Sequence, residues 1–397
     1  MMIGDGWDSD PAVRPSDAGD EPACRRRVAV VTGTRAEFGL LVPVMEAIRD
    51  HAGLELLVIA SGSHLVAPGE TYCEVKAAFG PRVAALVPMQ VAGRTGRVED
   101  CESLARGVAR FARAFQSLRP DWVVVLGDRI EAFAAAIAGN VGGWSVAHVH
   151  GGDRAEGIAD ESMRHAITKL AHLHLAATPQ SAERIVRMGE MPEHVRVVGS
   201  PAIDGLDRIG AMSDEAYREL GSPRALFLMH PIGRPAEHEK ADARAVIDAV
   251  ADRSPLALDP NLDAGREGVI RAIEGSGVAR RSHLPRPAFI ALLKRLAHEG
   301  GLLVGNSSAA LIESAAIGLP VVDVGPRQQG RERPGNVVHE DRAATEAVRR
   351  AVARALALDL SRREHPYGDG SAGPRIASVL AEVDPVAPGL RRKLCRF

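Results

Sequence analysis

The 397-residue sequence has no apolar run near the roughly 18 residues that a membrane span requires, which excludes a helical membrane anchor. Neither sign of charge is in excess: 49 Lys and Arg stand against 51 Asp and Glu, a formal net charge of −2. Nucleic acid and anionic membrane surfaces favour a strongly basic face, so neither is an expected partner. Only four cysteines occur (Cys24, Cys73, Cys101 and Cys395), scattered without a CxxC pair, and they read as reduced thiols with structural or incidental roles. The 14 histidines form no HExxH and no other metal-ligand spacing, so no catalytic metal is expected. No GxGxxG follows a strand, which disfavours a nicotinamide dinucleotide, and no cofactor is expected. Residues 1–25 lack both the basic start and the apolar stretch of a targeting segment. They read as a disordered, acidic, Pro-containing tail of a cytoplasmic protein.

What is present is a hydrophobic content of 46%, enough for sizeable cores, on a chain whose length suits two domains. From Arg27 onward, short aliphatic runs alternate with helical patterns: RVAVVTG, LELLVIASG, WVVVLGD, WSVAHVHGG, LHLAAT and VRVVGS read as strands. Because these runs lack polar alternation, the strands are expected to be buried on both faces in a parallel sheet covered by helices. The alternation restarts with ALFLMHP, PLALDPN, GLLVGNSS and LPVVDVG. The fold class is therefore α/β, with two Rossmann-like doubly wound domains. The expected division is a tail over 1–25, a first domain over 26–205, a second over 206–375, and a terminal helix or tail over 376–397 that packs back on the first domain. The boundary falls near residues 205–222.

Polar residues collect where the strands end, which in such sheets is where ligands bind. Gly305-Asn306-Ser307-Ser308 leads into a helix expected to begin near Ala309; its amides and hydroxyls suit phosphate oxygens, although capping by Ser307 or Ser308 accounts for one serine. Glu313 lies near enough to that turn to bond a ribose hydroxyl pair. Arg35, after Thr32-Gly33-Thr34, suits phosphate as a forked donor, or pairs with Glu37. Asp128 and Arg129 end another strand and read equally as a structural ion pair. His230 ends a strand before a proline, and a lone histidine is often only a packed or capping residue. Residues 147–168 carry His148, His150, Asp153, Arg154, Glu156, Asp160, Glu161, Arg164 and His165 in one connection. Capping by Asp160 and its pairing with Arg164 four residues later explain two of these and leave the others without an account.

Taken in order, TGTRAEFGLL, GSHL, GDRIEAF, HVHGGDRAEGIADESMRHAITKLAHLHL, VVGSPAIDGL, MHP, DPNLDAG, VGNSSAALIESAAIGLPVV, GPRQQGRERPGNVV and YGDG resemble the hydrolysing UDP-N-acetylglucosamine 2-epimerases of sialic-acid and related nonulosonic-acid synthesis. The resemblance spans about residues 28–370. It implies a GT-B architecture with the nucleotide on the second domain and the sugar in the cleft, and a homodimer or homotetramer. Nothing that follows would hold the kinase domain of the animal members, so no kinase activity is expected. By matching position, Arg35, Asn261, Ser307, Ser308, Glu313 and Arg327 are expected to hold the nucleotide and its diphosphate. Asp128, Asp160 and His230 match positions linked to catalysis, Arg129 and Arg164 are cleft arginines, and His64 is a candidate sugar contact.

Two departures bear on the chemistry. Many relatives carry a glutamate before the Gly-Gly pair, where this chain has His150; Asp153 replaces a second glutamate, shortening the side chain by a methylene. A shift of about 1 Å in a reacting oxygen lowers rate substantially. Which of His150, Asp153 and Glu156 takes the missing role is open at this point. The reaction that the resemblance implies is anti elimination of UDP across C1 and C2 to a 2-acetamidoglycal, then hydration to the free 2-epimer. It needs separate acid and base groups, expected at Asp128 and Asp160 with His150 or Glu156 second. The alternatives are a non-hydrolysing epimerase, a GT-B glycosyltransferase and a catalytically silent nucleotide-sugar sensor. The donor is expected to be UDP-linked N-acetylglucosamine or diacetylbacillosamine, or a GDP-linked counterpart.

Overall fold

The structure is a computed structural model that describes residues 25–67, 69–94, 96–155, 160–261, 263–362 and 364–396. The acidic tail expected over residues 1–25 lies outside the described residues except for Arg25. Strand β1 (Arg26–Thr32) pairs with β2 (Leu54–Ser61) and with β4 (Trp122–Leu126), and the first sheet is completed by β3 (Val83–Val87), β5 (Ser145–Val149), β6 (Leu173–Ala176) and β7 (Val195–Val197). Its seven strands run in the order β3-β2-β1-β4-β5-β6-β7. The second sheet contains β8 (Ala225–Leu228), β9 (Pro255–Leu258), β10 (Ala279–Arg281), β11 (Leu302–Gly305), β12 (Val321–Val324) and β13 (Val337–Glu340) in the order β10-β9-β8-β11-β12-β13. All pairings are parallel, and the strand order reverses between β1 and β4 and between β8 and β11. Each reversal opens a crevice beyond the strand tips.

The near-continuous apolar runs are buried on both faces. Val28, Val30, Leu56, Val58 and Val124 share one core with Leu41 and Met45 of the helix Arg35–Asp50. Ala29, Val31, Ile59, Val123 and Val125 form another with Phe111 and Phe115 of the helix Arg97–Leu118. In the second sheet Leu226, Leu256 and Leu303 face one way and Phe227, Ala257 and Val304 the other. At roughly 25 cal/mol per Å² of apolar area, cores of this kind dominate the stability of both layers. Three strands have no counterpart in the apolar runs: β3, β10 and β13 are sheet edges, only partly buried, and Ala279-Arg280-Arg281 has no apolar run at all.

The chain crosses between the layers twice. Ala202, Ile203 and Leu206 already belong to the second layer's core, whereas Ile376, Ala377 and Leu380 of the helix Ala372–Glu382, with Leu390, complete the first. Trp122 Nε1 donates to Leu380 O at 3.1 Å, and Ser145 Oγ donates to Pro385 O at 2.5 Å. The two crossings touch. Both Gly199 and Gly368 hold positive φ, and a side chain on Gly368 would come within 3.1 Å of the Gly199 Cα.

Candidate active site

The tips of both sheets face one crevice, and each tip is shaped by its local sequence. Gly305 at the end of β11 has φ +147, and a Cβ there would overlap the Leu228 carbonyl of β8, so only glycine lets these strands meet at the reversal point. The turn Gly127-Asp128-Arg129 after β4 is held from below by His148, whose Nε2 donates to Gly127 O at 2.7 Å. His148 is fully buried, and burial pushes its ring down to about 3. It is a supporting residue.

Arg129 ties the layers together: its Nη1 lies 3.6 Å from Asp160 Oδ2 and 3.2 Å from Asp263 Oδ1 of the second domain. Burial is the largest influence on both carboxyls, yet they move apart. Asp160 is raised by burial and by the charge of Asp263, against the pull of Arg129. Burial acts to raise Asp263 too, but Arg129 and Arg327 outweigh it and hold the group below the usual carboxylate range. One carboxyl suited to keeping a proton thus stands beside another that stays ionised. Asp128 is hydrogen-bonded to buried Arg164, which also donates to Asp153 O at 3.2 Å. The local pairing of Asp160 with Arg164 is therefore not the one formed: Arg164 reaches back 36 residues to Asp128, leaving Asp160 to Arg129.

On the opposite tip, the His230 backbone amide donates to Asn306 Oδ1 at 2.7 Å and Asn306 Nδ2 donates to His230 O at 2.9 Å. The Asn261 amide donates to His230 Nδ1 at 3.1 Å, so the neutral ring carries its proton on Nε2. Burial and the nearby Arg327 charge push His230 down to about 3, which keeps it a neutral N–H donor. Arg327 is buried, and its Nη1 donates to Asn306 O at 3.2 Å. Its Nε is buried without a partner, and among the described residues no carboxylate lies in ion-pair contact with it. Arg35, at the start of its helix, contacts Glu74 at 3.3 Å rather than Glu37, and its charge also lowers His283 of the second domain after burial.

Several expectations are corrected here. The turn after β11 does not open one long helix: Ser308–Leu311 and Glu313–Ile317 are separate segments of four and five residues, too short to supply much dipole for an anion. Nor does Ser307 cap: it occupies the N-cap position without a side-chain cap bond. Glu313 is buried and bound by Arg286 Nη1 at 3.0 Å. His64 is 1% exposed, with Nε2 3.0 Å from Thr32 Oγ1 and Nδ1 2.6 Å from Thr71 Oγ1; both nitrogens are engaged, which leaves none for a sugar. The same holds for His150. Its Nδ1 donates to Asp153 Oδ2 at 2.8 Å, and its Nε2 lies 3.0 Å from Ser200 Oγ.

Asp153 is in turn bound by Ser181 at 2.8 Å and lies 3.5 Å from Arg331 Nη2. Burial acts to raise it, but His150, Arg331 and Ser181 hold it down to about 2. This buried network fastens the loop to the crossing at Ser200 and to the second domain. Glu156 lies outside the described residues. Asp263, Arg331 and Glu131 are not among the expected site residues, and Glu37 is there only as a partner for Arg35. Asp263 sits two residues beyond Asn261, just past the tip of β9, where the strand-end pattern looks for polar residues.

Residues 46–381 match the UDP-N-acetylglucosamine 2-epimerase family. The chain is 33% identical over 371 residues to a Legionella pneumophila protein named UDP-N,N'-diacetylbacillosamine 2-epimerase (hydrolyzing), covering 90% of this chain and 96% of that one. It is 31% identical over 366 residues to a UDP-N-acetylglucosamine 2-epimerase of Neisseria meningitidis, with 89% and 95% covered. Among solved structures, that of the Neisseria meningitidis UDP-GlcNAc 2-epimerase bound to UDP-GlcNAc superposes with a TM-score of 0.73 at 18% identity, covering 90% of this chain and 100% of the other, a likeness of GT-B-type fold. The tip-to-tip crevice, the match over most of the chain and the shared architecture agree: the chain belongs to the UDP-N-acetylglucosamine 2-epimerase family and is one of its enzymes.

Proposed function

We propose that this enzyme is a hydrolysing 2-epimerase: it takes a UDP-linked 2-acetamido sugar and water to UDP and the free 2-epimer, through a 2-acetamidoglycal. The observation that carries the reading is the pair of carboxyls on Arg129, with Asp160 raised and Asp263 lowered, because elimination followed by hydration needs a group that gives and takes a proton beside fixed charge. The C2 proton is poorly acidic without an adjacent carbonyl, so the C1–O bond breaks early and negative charge moves onto the diphosphate. Arg327, Arg35 and the neutral His230 Nε2–H are the donors suited to receive it, with Asn261, Ser307 and Ser308 lining the same tip. Glu313, oriented by Arg286, suits the ribose hydroxyls.

Asp160 acts as general acid and base. Asp128 orients the site through Arg164, and Arg129 sets the balance between Asp160 and Asp263. His150 and Asp153 support the loop from behind. The relatives of Legionella pneumophila and Campylobacter jejuni, named for diacetylbacillosamine, support counting UDP-linked 2,4-diacetamido sugars with UDP-GlcNAc as donors. An early step of nonulosonic-acid synthesis by a cytoplasmic homo-oligomer completes the reading; no helix among the described residues is long and apolar enough to cross a membrane.

The test is product analysis after incubation in D₂O with UDP-GlcNAc, with UDP-diacetylbacillosamine and with its GDP-linked counterpart. The expected result is one equivalent of nucleoside diphosphate with free 2-epimer carrying deuterium at C2. An epimerised nucleotide sugar without release of UDP would show a non-hydrolysing enzyme, and no release from any donor would overturn the reading.

A further inference from the structure

Beneath the turn that follows β1 lie two glutamates that the mechanism above does not use. Glu37, on the helix Arg35–Asp50, is 4% exposed, and Glu131, on the helix Ile130–Val141, is 2% exposed. Both lean on one glycine. Glu37 Oε2 accepts the Gly33 amide at 3.1 Å, while a side chain on Gly33 would meet Glu131 Cγ at 2.5 Å. Gly62 at the tip of β2 is likewise filled by Glu131, so two glycines make room for this one carboxylate.

Glu131 Oε1 accepts from Gln90 Nε2 at 2.7 Å. The other two oxygens, Glu37 Oε1 and Glu131 Oε2, are buried without a partner. Among the described residues neither glutamate forms an ion pair; the cation whose charge reaches Glu37, Arg129, is paired with Asp160 and Asp263. Two ionised carboxylates packed on one glycine, each with an unbonded oxygen out of water, are an expensive arrangement. A proton on Glu37 removes one of the charges.

We propose that Glu37, packed beside Glu131 on Gly33, carries a proton and acts with it as a positioning residue that sets the charge beneath the Gly33-Thr34-Arg35 turn, so that the turn accepts an anionic ligand only while Glu37 is protonated. The effect on the ligand rests on the reading above, in which Arg35 meets the diphosphate. The charged and titratable groups that face the pair are Arg129 and Asp160 across the tips, Arg35 on Glu37's own helix, and His64 from the β2 turn, whose amide donates to Gly33 O at 3.3 Å. His64 is pushed down to about 4 by burial and stays neutral in the range of interest. Burial and the charge of Glu131 push Glu37 from 4.5 up to about 8. The native chain therefore keeps a proton that the unfolded chain has lost, and the stability this gives declines from about pH 4.5 to about pH 8, then levels off.

The experiment compares wild type with Glu37→Gln, which imitates the protonated acid, in two measurements. The first is the melting temperature from pH 5 to 9. Wild type loses stability as pH rises to 8, and Glu37→Gln lacks that loss; identical pH dependence in the two proteins overturns the proton on Glu37. Glu131→Gln serves as the second variant, because removing the neighbouring charge lets Glu37 ionise at lower pH and moves the loss downward. The second measurement is the calorimetric Kd for UDP at pH 7 and pH 9. Wild type is expected to weaken by about fivefold or more while Glu37→Gln weakens less, the uracil imide titrating equally in both. Equal weakening overturns the control of the turn. A chain that binds no UDP at any pH overturns the nucleotide reading and with it that control, while the melting comparison still decides whether Glu37 holds the proton.

Discussion

The two strand-tip surfaces of the crevice are built on opposite principles. On the first domain, Glu37 and Glu131 apart, the carboxylates of the tip have fixed partners: Asp128 with Arg164, Asp160 with Arg129, Asp153 with His150 and Arg331. On the second domain the groups around His230 and Asn306 are held by amide and imidazole hydrogen bonds, and although Glu313 pairs with Arg286 and Asp263 with Arg129, the buried Arg327 has no carboxylate in ion-pair contact among the described residues. A surface of matched charges controls where protons reside, because each partner moves the other's affinity for them. A surface with an unmatched cation attracts an anion. The division assigns the proton steps to the first domain and the leaving group to the second.

The sharpest way to break this division is Asp160→Asn. It is expected to lower kcat by about 10²- to 10⁴-fold while leaving the Kd for UDP nearly unchanged. A kcat within threefold of wild type would remove Asp160 from the chemistry. Arg327→Ala is the converse and should weaken UDP by about 10- to 100-fold in a calorimetric titration, since a charge-assisted bond is worth roughly 1.5–3 kcal/mol. If UDP binding held while kcat alone fell, the two surfaces would not be divided as described.

His150→Ala tests the supporting role. With its two hydrogen bonds lost and Asp153 left short of a buried partner, an unfolding free energy lower by about 1–3 kcal/mol is expected from denaturant melts. A stable variant with abolished turnover would return His150 to the reacting groups. The smallest effect concerns Asp263→Asn. Removing a charge that raises Asp160, and freeing Arg129 to pair with it, should move the limb of the pH–rate profile set by Asp160 toward lower pH. A shift in the other direction would contradict the coupling.

The parts legible in the sequence are those written as contiguous signals. Ten of the strands announce themselves as apolar runs, and the polar residues that follow them do lie at the tips. Edge strands such as Ala279–Arg281 carry no such run, because pairing on one side and partial exposure ask little of their side chains. Local rules failed where a distant partner was stronger. Spacing along a helix favoured Asp160 with Arg164, but packing brought Asp128 to that arginine. The capping rule likewise favoured Ser307 or Ser308, yet the serine at the N-cap position, Ser307, makes no side-chain cap bond. Histidines misled for a related reason: a sequence records an imidazole without recording that Thr32 and Thr71, or Asp153 and Ser200, have already taken both its nitrogens.

The return of residues 372–391 to the first layer has a consequence for biosynthesis. The amino-terminal half emerges from the ribosome well before the helix Ala372–Glu382 that closes its core, so it must wait, with Trp122 and its neighbours lacking their cover, until that helix has been made. The second sheet, whose strands all lie between the two crossings, is in effect an insert, made whole before the helix that closes the first layer.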